Sequence, residues 1–182
     1  FHGDHYEIHE DGNLKKLSTE QFVSRWSNWL NLFPIVSVED GAAEDDIDGW
    51  KQQQENCDRI QIIGDDRYAT QNDRLQNGIA TKEANTILIK PNQAGTLHSA
   101  LTALTTAKSA EWGTVVSARS GDTEESWLVD LAVGSNAGQI KVGSTHRSER
   151  SAKWNRLLEL SHFAAAPYIG KAALSHVKNL NF

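Results

Sequence analysis

The 182-residue sequence predicts an α/β fold of parallel strands alternating with helices, and three observations predict it. Five short runs rich in Ile and Val, without strict polar alternation, read as strands buried on both faces: "PIVSV" (34–38), "IQIIG" (60–64), "TILIK" (86–90), "TVVS" (114–117) and "GQIKV" (138–142). Longer segments with helical spacing lie between them. Strand, helix and strand then recur about every 25 residues, the signature of βαβ units and a parallel sheet.

The earliest helix is predicted over 18–32, where Ser18 and Gln21 are spaced as a capping box. Further helical segments are predicted over 44–56 and 72–82. The clearest pattern follows Gly95: Leu97, Leu101 and Leu104 recur at i, i+4 and i+7, with Ala100, Ala103 and Ala107 filling the same side. Two more helices are predicted over 123–135 and 148–165. The character of the sequence changes around Pro167, so residues 1–166 read as one α/β unit and 167–182 as a C-terminal tail. The choice is between a barrel and an open doubly wound sheet. A complete (β/α)8 barrel takes about 250 residues, and the five or six units counted here are too few to close one.

Composition narrows the function classes. A net charge of −6 and a pI near 5.6 argue against a nucleic-acid surface, which needs Lys and Arg clusters not outnumbered by carboxylates. The lone Cys57 permits no intramolecular disulfide and points to a reducing, cytoplasmic setting. No signal-peptide h-region and no apolar run of membrane-spanning length occurs, so no membrane partner is expected. The chain begins at Phe1 and contains no Met, which predicts further sequence upstream. The six tryptophans are scattered in a way that suits packing between helices and sheet, and His2, His5 and His9 lie in a polar stretch that reads as solvated surface.

In parallel α/β folds chemistry collects at the carboxyl ends of the strands. Here the first strand ends in Glu39-Asp40, the second in Asp65-Asp66, the third in Lys90 and the fourth in Arg119-Ser120, while the fifth contains Lys141. Taken singly, an acidic pair after a strand is also what a loop start or a helix N-cap looks like. Five polar strand ends on one rim say more. Carboxylates suit a hard cation such as Mg²⁺. A lysine beside bound positive charge is pushed towards its neutral form and can serve as a base towards a carbon acid. Arg119 offers a planar fork for phosphate or carboxylate.

The segments "FPIVSVEDGAAEDDIDGW", "QIIGDDRYAT", "ILIKPNQAGTL", "WGTVVSARSGDTEES" and "DLAVGSNAGQIKVGSTHRSERSAKWNRLL" resemble, in order and in spacing, the second half of the enolase barrel, over Phe1 to about Leu158. The resemblance implies the C-terminal part of an enolase-type (β/α)8 barrel and an Mg²⁺-dependent lyase that dehydrates 2-phosphoglycerate to phosphoenolpyruvate, or handles a related small phosphorylated acid. It implies Glu39 and Asp65 as metal ligands and Lys90 as the base that removes the C2 proton. Arg119 and Ser120 are implied as the phosphate site, and Lys141 as the residue that engages the substrate carboxylate. A homodimer, or an assembly partner covering the region that precedes Phe1, is implied with it.

Two departures from the family pattern stand out. Ala118 occupies the position where enolases carry a histidine in "SHRSGE", and Asp122 is shorter than the family's glutamate. Losing an imidazole near a reacting centre commonly costs orders of magnitude in rate. Phe1 also aligns just after the family's third metal-binding aspartate, and the family's general-acid glutamate lies further upstream. The alternative reading is therefore a catalytically degenerate, enolase-like structural subunit of a larger assembly.

Overall fold

The computed structural model describes residues 1–164, 167–178 and 180. An antiparallel hairpin, β1 (Tyr6–Glu10) and β2 (Asn13–Leu17), precedes helix α1 (Thr19–Leu32). The parallel unit then runs β3 (Ser37–Glu39), α2 (Ile47–Asn56), β4 (Gln61–Gly64), α3 (Asn72–Thr81) and β5 (Thr86–Ile89). It continues with the single turn α4 (Pro91–Ala94), α5 (Leu97–Ser109), β6 (Gly113–Ser117), α6 (Trp127–Gly134), β7 (Gly138–Lys141) and α7 (Ser148–Phe163), and a 3₁₀ turn spans Gly170–Leu174. Position 165 of the predicted last helix, the predicted boundary at 166 and tail positions 179, 181 and 182 lie outside the described residues.

The five parallel strands pair in the order β3-β4-β5-β6-β7. A doubly wound sheet reverses its strand order at a switch point, and this one never does. The helices cover a single face: Ile62, Ile87, Ile89 and Val116 pack with Leu75, Ala100, Ala103 and Leu104 in one large cluster, while Ile63, Leu88 and Val115 form a separate cluster on the opposite face. In a flat sheet the two outer strands would stand roughly 19 Å apart, four steps of about 4.8 Å. Lys141 at the end of β7 nevertheless places Nζ 2.6 and 2.7 Å from the two carboxylate oxygens of Glu39 at the end of β3. The sheet is therefore rolled, with the small cluster inside and the helices outside. That is part of a barrel, and it removes the open-sheet alternative.

Four details correct the sequence reading. Burial on both faces holds for β4, β5 and β6, but β3 and β7 keep exposed positions, because each is an edge strand with one sheet neighbour among the described residues. The first strand begins at Ser37, after Pro34 and a bonded turn from Ile35 N–H to Phe33 O. Helices α2 and α6 start three and four residues later than predicted, the former at an Asp46 cap that accepts from Gly49 N–H. The polar N-terminal stretch forms a hairpin turned by Asp11-Gly12, both at positive φ, and buries Tyr6. The capping box at Ser18 and Gln21 is present as the spacing predicts.

Candidate functional site

Alternation along the strands places Glu39, Asp65, Lys90, Ser117 and Lys141 on the inner face, at or just beyond the carboxyl ends. Their positions rest on two well-anchored loops. The loop after β3 carries Asp40 at φ +46 and is held by three aromatic side chains. Trp26 Nε1 donates to Gly41 O at 2.8 Å and Trp50 Nε1 donates to Ala43 O at 3.0 Å. The Tyr6 hydroxyl donates to Asp46 Oδ2 at 2.6 Å and accepts from Ala43 N–H at 3.0 Å. Burial, together with the Asp46 carboxylate, pushes the Tyr6 phenol well above its ordinary value, so the hydroxyl stays a donor. A Cβ on Gly41 would lie 2.0 Å from Nε2 of the buried Gln53, so a side chain at this position requires the Gln53 amide to move.

The loop after β4 is tied to the first. Asp40 accepts from Asp65 N–H at 2.9 Å with one carboxylate oxygen and from Asp66 N–H at 3.0 Å with the other. Burial raises the Asp40 carboxyl above its usual range and the negative charges of Asp65 and Asp66 add to this, while the two N–H donors oppose it. Asp65 is buried and its Oδ2 pairs with Lys90 Nζ, itself only 9% exposed. Its other oxygen accepts from Gln93 Nε2 at 3.3 Å. Single oxygens of Glu39, Asp40 and Asp65 lie within 4.8 Å of one another. This donor set is all carboxylate oxygen, which fits a hard divalent cation and suits a soft metal poorly.

The other side of the rim is built differently. Ala118 N–H continues the ladder to Lys141 O at 3.0 Å, and the half-buried Ala118 methyl packs against the large outer cluster. Arg119 and Ser120 then leave the sheet and are exposed. Their loop turns on Arg119 N–H to Asp122 Oδ2 at 3.3 Å, and on Lys153 Nζ, buried in α7, which donates to Thr123 O at 2.8 Å and Glu149 O at 2.9 Å. The structure thus pairs Lys90 with Asp65 and Lys141 with Glu39. Arg119 and Ser120 make no side-chain hydrogen bond or ion pair with those four among the described residues.

Sequence reasoning passed over several residues that shape the rim. Asp40, Thr70 and Gln93 all stand within the quoted segments but carried no separate role. The indoles of Trp26 and Trp50 act as donors to the loop as well as packing. The Asp11-Gly12 turn was the available signal for the hairpin that brings Tyr6 to the loop.

The enolase C-terminal TIM barrel domain family matches residues 2–177. Enolase from Helicobacter pylori (strain J99) is 44% identical over 175 residues, covering 95% of this chain and 41% of that protein. Enolase from Helicobacter acinonychis (strain Sheeba) matches with the same identity and coverage. The chain therefore spans about two-fifths of the length of these curated relatives. With the rolled parallel sheet and its strand-end residues in register, the match places this chain in the enolase family, as its C-terminal barrel domain.

Proposed function

We propose that this chain forms part of an Mg²⁺-dependent lyase that converts 2-phosphoglycerate, or a closely related phosphorylated acid, to the enol phosphate and water. The observation that carries the reading is the convergence on one rim of Asp65 with Lys90 and Glu39 with Lys141, beside carboxylate oxygens from three residues within 4.8 Å. Glu39 and Asp65 would hold the metal. When bound, it would supply positive charge that stabilises the anion formed as the C2 proton leaves. Lys90, its Asp65 partner now engaged by the metal and its Nζ in the free-amine form, would take the C2 proton from a largely buried position. Lys141 engages the substrate carboxylate, and the Arg119 fork with the Ser120 hydroxyl takes the phosphate. The proton that leaves with the C3 hydroxyl comes from a group outside these residues.

Ala118 favours a second reading, a retained enolase fold serving as a non-catalytic subunit. The test is turnover by the natural full-length protein in Mg²⁺, followed through the ultraviolet absorbance of the enol product. Turnover that Ala118→His raises by tenfold or more supports the lyase and locates its handicap. Absence of turnover in both proteins overturns the lyase in favour of the subunit. A cytoplasmic setting and a dimer or assembly partner belong to the same proposal. Consistent with it, no helix among the described residues is long and apolar enough to cross a membrane.

A further inference from the structure

Thr70 is buried to 1% exposure and holds φ at +55, directly after Ala69 at +44. A β-branched residue in the left-handed region is a backbone outlier that persists only where its surroundings enforce it. Three groups meet on its hydroxyl. Lys90 N–H, just past the end of β5, donates to Thr70 Oγ1 at 2.9 Å. The hydroxyl lies 3.0 Å from Gln93 Oε1 and 3.3 Å from Leu88 O, and its single proton is shared between these two acceptors. Because a carboxylate oxygen only accepts, the Gln93 amide turns Nε2 to Asp65 Oδ1, at 3.3 Å, which leaves Oε1 facing the Thr70 hydroxyl. Gln71 Nε2 braces the same segment by donating to Gln93 O at 2.9 Å. The result is a directional chain from the Lys90 backbone through Thr70 and Gln93 to the Asp65 carboxylate, closed by the Lys90–Asp65 ion pair.

We propose that Thr70 and Gln93 are positioning residues of this site, which set Asp65 and Lys90 in register through the Thr70 hydroxyl and the Gln93 amide. The strained backbone at Thr70 is what delivers the hydroxyl to that point. This rests on the roles given above to Asp65 and Lys90. Outer partners that orient a metal-binding carboxylate typically change metal affinity about 10–100-fold when removed.

The experiment uses the natural full-length protein and Mn²⁺ as a spectroscopic probe, with hydrogen exchange read at the Lys90 amide. Thr70→Val keeps the shape and removes the hydroxyl, whereas Thr70→Ser keeps the hydroxyl and removes the methyl. The expected result is a Mn²⁺ dissociation constant raised about tenfold or more in Thr70→Val, with loss of Lys90 amide protection. Thr70→Ser should stay within about threefold and keep the protection. Gln93→Leu, which leaves Thr70 untouched, should weaken Mn²⁺ similarly while the Lys90 amide stays protected. The inference is overturned if Thr70→Ser is the more damaging of the two, because the methyl's packing would then be what matters. It is equally overturned if Gln93→Leu binds Mn²⁺ normally. Asp65→Asn is the control: if it leaves Mn²⁺ binding unchanged, the metal assignment fails and this inference with it. Weakened binding in Asp65→Asn with normal binding in Gln93→Leu sinks the inference alone.

Discussion

The two sides of the rim present opposite solutions to holding charged groups at strand ends. On the carboxylate side, the loops after β3 and β4 are pinned by Trp26, Trp50, Tyr6 and Asp40, and the lysine that faces them is buried against Asp65. Across the rim, Arg119 and Ser120 sit on an exposed loop tied at Asp122 and, further on, at Lys153. A proton-abstracting group must meet a carbon atom within hydrogen-bonding geometry, which demands fixed placement. A long guanidinium that captures a phosphate tolerates, and gains access from, a looser mount. On the proposed function, the contrast would separate residues placed for chemistry from residues placed for capture.

The largest effect should come from removing one group on each side. Lys90→Ala is expected to lower kcat on the order of 10²–10⁴-fold, the range of a positioned general base. Arg119→Ala should instead act mainly through a raised KM for the phosphorylated acid, and should leave stability within about 0.5 kcal/mol, since the side chain is exposed and makes no ion pair among the described residues. Steady-state kinetics and a denaturant titration of both variants check this. Equal kcat losses would erase the distinction between the two sides.

Next is the anchoring itself. Trp50 is fully buried and bonds Ala43 O, so Trp50→Ala should cost about 3–5 kcal/mol in urea unfolding. Lys153→Met should cost about 1–3 kcal/mol, because it leaves the Thr123 carbonyl without the donor that ties the loop to α7. Its signature is faster hydrogen exchange confined to the 119–125 loop. If exchange instead rises throughout the sheet, Lys153 supports the barrel and not the loop.

These anchors also mark the limit of what the sequence disclosed. The strands, the helix faces and the polar strand ends were legible, because period-2 and period-3.6 patterns and the residues after each Ile/Val run are local signals. The partners of those residues were not. Glu39 and Lys141 are 102 positions apart, and only the rolling of the sheet brings them together. Nothing in the neighbours of Thr70 announces a left-handed β-branched position. Lys153 lies in a predicted helix, where a lysine reads as solvent-facing, yet it turns inward to two carbonyls. Exposure of β3 and β7 depends on their sheet neighbours, which local composition does not encode.

The smallest effect lies at the opposite end of the same strands. His176 Nε2 sits 2.9 Å from Thr86 Oγ1, at the start of β5, in the space left by Gly113, where a Cβ would come within 2.4 Å of the ring. Burial holds the His176 imidazole below its ordinary value of 6.5, partly offset by a bond to the Ala173 backbone. Above pH 6.5 the ring is neutral whether the tail is docked or free. Between 6.5 and the lower docked value only the free state takes up a proton, so docking weakens as pH falls through that window and recovers as it rises. Hydrogen exchange of residues 170–178, corrected for intrinsic rates, should therefore show less protection at pH 5.5 than at pH 7.5. His176→Asn should abolish this pH dependence, and Gly113→Ala should remove the protection at both pH values by expelling the ring. Because β5 and β6 carry Lys90 and Ser117 at their far ends, Mn²⁺ affinity measured across the same pH step in wild type and in His176→Asn tells whether floor and rim are coupled. Equal pH responses of the two proteins mean that the tail closes the barrel floor independently of the site.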